Sequence, residues 1–504
     1  MSFTFASALK WWARDIPDNV AISVDGDPVS YLELYDWSAR VGHHLLASGV
    51  KPGDRIMAVG VNSLPYAVLI VAMARIGAVG TPLTFRSSAA EIAEAIENFD
   101  PVLIFTDDDR RAVAAEAVGD THSARLSSFA ELNTFREGER QDLPLMVEED
   151  APMFIIGTSG STAKSKGVVQ SQRGMMTYAC EFAIMEPRCG KGARFLSLGP
   201  FSSQSGYLLL LQFLATGVSI FMESRFDAER ALRLLVDEKI TMILAVPIFF
   251  ERMAALDTFR DADLSNLYFG QIAGSRVSLS LLEAWRNKGV ILRQAYGCTE
   301  AGGGWAARDD TVLVAPEKCG RGGLFNEFAI AGEDGELAPP GTVGEIVFRG
   351  ASLMSGYWGN PEATEDALKD GWFHTGDLGV IDEAGNVTFV DRLKDIIISG
   401  GLNISAAEVE KVIAEIDGVE EVAVIAANDD SFGETPMAVI YGDKSKLDIP
   451  DIIARCDRAL ASYKVPRYIV LQDEHLPRLP SGKISKPAIR AQYQDAAKGL
   501  ARVR

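Results

Sequence analysis

The chain has 504 residues, 47% hydrophobic and 23% charged, an ordinary globular composition on more length than one core usually serves, so two or more domains are expected. Its formal net charge of −20 argues against a nonspecific nucleic-acid or anionic-membrane binder, since both reward a basic surface, and leaves room for a local basic site on an anionic ligand. Five scattered cysteines, Cys180, Cys189, Cys298, Cys319 and Cys456, with no Cys-x-x-Cys pair, argue against a disulfide framework or zinc site and favour a reducing cytoplasm.

The first seven residues lack the basic-then-apolar profile of a signal peptide. Residues 54–59 read as a strand and 64–76 as a largely buried helix ending near Gly77. Further strands are expected at 101–106, 195–198, 218–221 and 241–244, with a helix at 228–238. The most apolar stretch, 207–222, contains Gln212, Thr216 and Gly217. A membrane span needs about 20 apolar residues, so this stretch reads as a buried helix followed by a buried strand. Strands alternating with helices indicate parallel α/β layers.

The pattern changes after about Pro339. Residues 344–350 and 386–390 look like antiparallel strands between turns, and 391–395 form a short charged junction. Strands at 396–399 and 419–426 and helices at 406–416 and 450–460 follow, enough for a small α+β domain of about 110 residues. There is no internal repeat and no low-complexity segment.

Two lysine-bearing segments carry the chemistry. One is the loop Thr158, Ser159, Gly160, Ser161, Thr162, Ala163, Lys164, Ser165, Lys166, Gly167; the other is Pro480, Ser481, Gly482, Lys483. No glycine precedes Lys166, so the first is not a Walker A loop. Its hydroxyls and Gly160 still suit phosphate oxygens, with Lys166 to neutralise β/γ-phosphate charge; a plain Ser/Thr/Lys surface loop is the competing reading. Together the segments point to a nucleotide triphosphate held by one part of the chain and approached by a cation from another.

The loop resembles the Thr-Ser-Gly-(Ser/Thr)-Thr-Gly-x-Pro-Lys-Gly signature of the adenylate-forming superfamily: acyl-CoA synthetases, firefly-type luciferases and nonribosomal adenylation domains. Ala163 and Ser165 replace its second glycine and its proline. Segments 30–34, 49–55, 77–83 and 356–364 are similar to further family patterns, in family order. The fold this resemblance implies is α/β: a large N-terminal domain (1–391) of layered α/β subdomains with a small β-barrel-like part, a hinge at 392–394, and a small mobile α+β lid (395–504).

The resemblance also implies residue roles. Thr158, Ser159, Gly160, Ser161, Thr162 and Lys166 would hold ATP phosphates, with Thr158 also in the catalytic set. Tyr296, Gly297, Cys298, Thr299, Glu300 match Tyr-Gly-x-Thr-Glu: Tyr296 for adenine, Thr299 for phosphate, and Glu300 for Mg²⁺, to which a carboxylate is a suitable hard ligand. Gly274 and Ser275 resemble the segment lining adenine and acyl group. Asp377, in Trp372-Phe373-His374-Thr375-Gly376-Asp377, would accept from the ribose hydroxyls. His374 is better read as a packing or hydrogen-bonding histidine than as a base. Arg392 would contact ribose or phosphate, and Lys394 lies where the family hinge turns, although such charge runs are usually solvated.

Gly400 and Gly401, in Ser399-Gly400-Gly401-Leu402-Asn403-Ile404, resemble the loop that passes the CoA arm; a simple turn is the rival reading. Lys483 would stabilise charge growing on the α-phosphate and departing pyrophosphate. For the acyl chamber the expected residues are Phe201, Tyr207, Phe249, Gly274, Gly302 and Gly303. The glycine run is expected to leave empty volume for a bulky aryl, alicyclic or branched acid, unless it serves only a tight turn. No histidine follows Phe201, where the family often has one.

The implied activity is a two-step carboxylate–CoA ligase. A small-molecule acid and MgATP give an acyl-adenylate and pyrophosphate; CoA then displaces AMP as the lid turns about Lys394. The rivals are an adenylating enzyme with an amine or carrier-protein acceptor and a noncatalytic acyl or nucleotide sensor, which would have dispensed with Lys483 or Glu300. No nucleic-acid partner and no membrane span are expected, and a homodimer is the commonest assembly in general.

Overall fold

Strands buried on both faces read as continuous apolar runs, and such runs build parallel sheets covered by helices. The computed structural model describes residues 2–119, 122–144, 147–158, 166–274, 277–332, 334–429, 432–478, 483–493 and 502–503. The chain divides into two compact units, one of Met1–Phe328 with Phe348–Phe373 and one of Ala329–Val347 with His374–Arg504.

The first unit carries two large sheets. One has eight strands in the order Gly303–Ala306, Leu292–Cys298, Phe269–Ala273, Met242–Ala245, Arg194–Ser197, Ser219–Met222, Val20–Val24, Asp27–Ser30. Its inner strands pair in parallel, and an antiparallel neighbour closes each edge. The other has seven, in the order Gly356–Tyr357, Lys166–Ser171, Pro152–Thr158, Val79–Leu83, Arg55–Val59, Leu103–Thr106, Arg125–Ser128. The first three pair antiparallel with one another, and from Pro152–Thr158 onward the pairing is parallel.

The helices show two degrees of enclosure. Ala228–Asp237 buries only Ala231, Leu232 and Leu235, one stripe at helical spacing. Leu64–Ile76 is buried at every residue but Pro65; Ser63 caps its start by accepting from the Tyr66 N–H, and Gly77 closes its end at φ 76°. Arg75 is enclosed with it. Its guanidinium donates to the Tyr35 carbonyl (2.5 Å) and the Ser38 hydroxyl (2.7 Å) and lies 4.1 Å from the Tyr35 ring centroid. Burial drags its pKa down to about 10, which still leaves it charged at neutral pH. The apolar stretch 207–222 becomes helix Gln204–Ala215 and strand Ser219–Met222. No helix among the described residues is long and apolar enough to cross a membrane.

A five-stranded sheet in the order Asn326–Ala331, Val343–Gly350, Trp372–Ile381, Leu368–Lys369, with Val387–Arg392 also on Trp372–Ile381, stands where the small barrel-like part is expected. The second unit's other sheet runs Leu402–Ser405, Ile396–Ser399, Gly433–Gly442, Val419–Asp429, with Tyr468–Gln472 beside Gly433–Gly442. Its strands alternate between two apolar faces. Val424, Ala438 and Ile440 join Val409 and Ile413 of helix Ala406–Ala414, while Ala423, Ile425 and Val439 pack with Ile489 of helix Lys486–Tyr493.

The unit boundary lies N-terminal to the expected one at 391, and residues 392–394 fall inside the second unit. The cause is local bonding. Trp372–Ile381 pairs with Val387–Arg392, and buried Asp391 accepts from the Ser405 hydroxyl (2.6 Å) and the Ala407 N–H (2.9 Å) at the start of helix Ala406–Ala414.

One buried carboxylate ties a loop of the first unit to a helix. Glu181, on helix Gln172–Met185, is 1% exposed and accepts from Trp305 Nε1 (2.7 Å), the Phe325 N–H (2.5 Å) and Asn326 Nδ2 (2.9 Å). Glu181→Ala would strand these donors, at an expected cost of about 3 kcal/mol. A urea-denaturation midpoint equal to wild type would show that the loop does not depend on it.

Candidate active site

The antiparallel pairing of Pro152–Thr158 with Lys166–Ser171 sets Thr158 opposite Lys166, and the Thr158 hydroxyl donates to the Lys166 carbonyl (3.3 Å). Ser159, Gly160, Ser161 and Thr162, with Ala163 to Ser165, lie outside the described residues, as do Ser275 and residues 479–482. Lys166 Nζ stands 4.8 Å from the ring centroid of Tyr357, whose strand pairs with Lys166–Ser171. The Tyr357 hydroxyl donates to Glu300 Oε1 (2.9 Å). Burial, and then the neighbouring Glu300 carboxylate, raise the Tyr357 pKa well above the ordinary phenol value, so the hydroxyl keeps its proton. Lys166, Tyr357 and Glu300 thus form one line of cation, phenol and carboxylate.

Glu300 follows the hairpin strand Leu292–Cys298, in which Tyr296 faces Trp305, Gly297 faces Gly304 and Cys298 faces Gly303. Tyr296 is 7% exposed and sets its ring edgewise to Phe328, with centroids 5.5 Å apart. A Cβ on Gly297 would lie 2.7 Å from the Gly304 Cα, so only glycine fits that crossing. Fully buried Gln170 donates from Nε2 to the Thr299 carbonyl (3.1 Å), joining the turn to the strand of Lys166. Gln170 carries no sequence signal of this, and Tyr357 enters the sequence reading only within the segment 356–364.

The expected empty volume at the glycine run requires correction. Gly302 has φ 73°, and a Cβ there would run into the Ser352 carbonyl. A Cβ on Gly303 would lie 2.6 Å from Tyr178 Cζ. The space beside both is filled; at Gly304 the nearest atom stands 3.8 Å away. Phe201 and Tyr207, each 1% exposed, are core rings with little surface for a ligand. Phe201 meets Tyr66 edge-on at 5.2 Å, and Tyr207 lies 4.8 Å from Phe154 and so close to Gly80 that a Cβ there would be 2.9 Å from its Cζ. Half-buried Phe249 packs on Phe226 at 4.5 Å. Gly274, at φ 96°, follows the strand Phe269–Ala273.

In the second unit Asp377 faces Arg392 across the ladder, and Arg392 Nε lies 3.1 Å from Asp377 Oδ1. His374 Nδ1 is 2.7 Å from Glu345 Oε2, and the other oxygen of Glu345 accepts from the Gly376 N–H (2.9 Å). This histidine is hydrogen-bonded into the sheet, in line with the packing reading. Lys394 sits in a single 3-10 turn, Leu393–Asp395, beside the Asp395–Arg490 ion pair. Burial, followed by repulsion from Arg392, lowers its pKa. Gly400 (φ 58°) and Gly401 (φ 84°) form the two-residue turn between Ser399 and Leu402, where both positions need the left-handed region. Lys483 is exposed, and an isolated bridge joins Arg478 to Ile484 around it.

Among the described residues no group of three or more His, Cys, Asp or Glu side chains could hold a metal ion. A Mg²⁺ ion at Glu300 would take its other ligands from phosphate oxygens and water, the usual manner for this ion.

The family model described as AMP-binding enzyme matches residues 9–358, and that described as AMP-binding enzyme C-terminal domain matches 408–483. A feruloyl-CoA synthase of Amycolatopsis sp is 36% identical over 487 residues, covering 95% of this chain and 97% of its own. The solved structure of ATP-bound MatB from Rhodopseudomonas palustris matches with a TM-score of 0.90 at 27% identity, over 98% of this chain and 100% of that one. The o-succinylbenzoate CoA synthetase MenE from Bacillus subtilis, in complex with the acyl-adenylate intermediate OSB-AMP, matches with a TM-score of 0.86 at 26% identity, over 96% and 97%.

The glycine geometry separates two adjacent positions. Gly303→Ala should cost about 1–3 kcal/mol by overpacking against Tyr178, whereas Gly304→Ala should leave thermal unfolding close to wild type. Equal melting temperatures for the two variants would refute the assignment.

Proposed function

The chain belongs to the AMP-binding enzyme family, and we propose that it is an ATP-dependent carboxylate–CoA ligase working through an acyl-adenylate. The observation that carries this reading is the line of Lys166, Tyr357 and Glu300. A triphosphate needs a cation for its outer phosphates and a hard oxygen ligand for its Mg²⁺, and Lys166 and Glu300 offer both from one cluster. When bound, Mg²⁺ supplies neutralising charge to the phosphates.

In the first half-reaction the substrate carboxylate attacks the α-phosphorus and pyrophosphate leaves. Thr158, Lys166 and Thr299 hold phosphate oxygens, Tyr296 borders the adenine, and Asp377 and Arg392 take the ribose. Lys483 meets the charge that develops on the phosphate and leaving group, so its stabilisation is greater in the transition state than in the ground state. In the second half-reaction the CoA thiol attacks the acyl carbonyl and AMP leaves. The Gly400–Gly401 turn serves the CoA arm and Lys394 is the hinge. The acid is a bulky hydrophobic one, aryl, alicyclic or branched; the feruloyl-CoA synthase relative supports this class.

The reading is tested by following pyrophosphate and thioester with a panel of aryl, alicyclic and aliphatic acids. Both products should depend on ATP, Mg²⁺ and acid, and the thioester also on CoA. An amine that replaces CoA with equal efficiency would reassign the acceptor.

Lys483→Ala should slow pyrophosphate release by about 10²–10³, the scale of losing one preorganised charge contact, and should spare thioester formation from supplied acyl-adenylate. Equal losses in the two half-reactions would defeat the division of labour. Glu300→Gln keeps an acceptor for the Tyr357 hydroxyl but is a poorer Mg²⁺ ligand, so its MgATP step should weaken and recover in part as Mg²⁺ is raised. An unchanged Mg²⁺ dependence would remove Glu300 from the metal.

A further inference from the structure

We propose that Glu421 and Glu410 are positioning residues for Lys483: one carboxylate pins the chain before the lysine, the other pins the chain after it, and both refer it to one strand of the second unit. This rests on the ligase reading and deepens it.

Lys483 is exposed, so packing does little to fix its side chain, and its place follows from the backbone on either side. The two arms of that backbone are joined beside it: Arg478 bridges to Ile484, and the Ser485 N–H donates to the Pro477 carbonyl (2.7 Å). Each arm is then tied to a carboxylate. Glu421, with a side chain 9% exposed, lies on Val419–Asp429, the edge strand of its sheet. It gathers the preceding arm: His475 Nδ1 stands 2.9 Å from Oε1, the Leu476 N–H donates to Oε2 (2.8 Å), and Arg478 donates to Oε1 (2.5 Å). On the following arm Lys486 opens helix Lys486–Tyr493, and its Nζ stands 2.8 Å from Glu410 Oε1. The same oxygen accepts from the Val424 N–H (2.7 Å) of that edge strand.

The arms are also packed. Leu476 and Ile489 share an apolar cluster with Ala423 and Ile425 of the same strand, and Ile484 packs against it. That cluster holds the arms to the sheet, but apolar contact is non-directional. A charge-assisted hydrogen bond has a defined length and direction, so the two carboxylates fix where each arm stands along the strand. Loss of one of these ties leaves the second unit its core and lets the backbone of Lys483 shift. Its ammonium is useful only where charge develops on the phosphate, and a misplacement on the order of 1 Å can cost about 10²-fold in rate.

The test measures pyrophosphate release, and thioester formation from supplied acyl-adenylate, in wild type, E421Q, K486M, K486R and K483A and in the doubles E421Q/K483A and K486M/K483A. Circular dichroism establishes folding. Absence of pyrophosphate and thioester from wild type with every acid of the panel would reject the ligase reading itself. Given an active wild type, E421Q and K486M should each slow pyrophosphate release by about tenfold or more and leave the thioester step at the wild-type rate. Neither should cost anything further in the K483A background, because a pin has nothing to position once the ammonium is gone. K486R keeps the ion pair and should keep most of the rate. Equal slowing of both half-reactions, or the same loss in the K483A background as in wild type, would show that the carboxylates only hold the second unit together and overturns the proposal. So does a wild-type rate of pyrophosphate release in K483A or in either folded single variant, and so does a K486R as slow as K486M. Should E421Q or K486M not fold, the other decides by the same criteria, and R478M, which removes one partner of Glu421, decides if both fail to fold.

Discussion

The strand Lys166–Ser171 is the constraint on which the rest of the candidate site in the first unit depends. It is hydrogen-bonded on both sides, to Pro152–Thr158 and to Gly356–Tyr357. Its side chains reach further: Lys166 to the Tyr357 ring, and Gln170 to the Thr299 carbonyl at the end of the eight-stranded sheet. Both large sheets thus deliver residues to one strand. Its backbone is held by two ladders, so the polar groups it carries are positioned before any ligand arrives, which reduces the ordering cost of binding.

Within each unit the carboxylates differ in what they face. Glu300 has a neutral phenol as its hydrogen-bond donor, where a cation would compensate it more fully. A carboxylate paired in this way retains capacity for a metal ion. Asp377 has a guanidinium beside it. One oxygen of Asp391 accepts from the start of a helix and the other from the Arg392 N–H, while both oxygens of Glu181 accept from a loop. Carboxylates that look alike in composition are distinguished by their partners: a phenol at Glu300, a guanidinium at Asp377, and helix-start or loop donors at Asp391 and Glu181.

Much of the fold was legible because its elements are local patterns. Continuous apolar runs marked the parallel strands, and the helices at 64–76 and 228–238 follow from spacing and caps. The motif positions Lys166, Tyr296, Glu300 and Asp377 were legible through family resemblance, and Lys166 and Glu300 do meet around Tyr357. What escaped were single side chains whose partners lie far along the chain. Tyr178 reaches Gly304, Gln170 reaches Thr299 and Glu181 reaches Trp305, each more than a hundred residues away, and no periodicity encodes such pairs. The glycines after Glu300 misled for a related reason: a missing side chain signals room, but whether the room is empty depends on a residue elsewhere. The compact units divide N-terminal to the expected boundary at 391, since a charged junction is visible in sequence whereas the ladder that binds it to the preceding strand is not.

The closeness of Gly303 to Tyr178 restricts how this part of the chain can evolve. A larger residue at 303 is admissible only after the ring at 178 has become smaller, because the two occupy one volume. The reverse order passes through an overpacked intermediate. The pair therefore behaves as one epistatic unit, and their substitutions would not be additive. Relatives that differ at one position are expected to differ at the other, and ancestral reconstructions through this region should find the aromatic lost before the glycine.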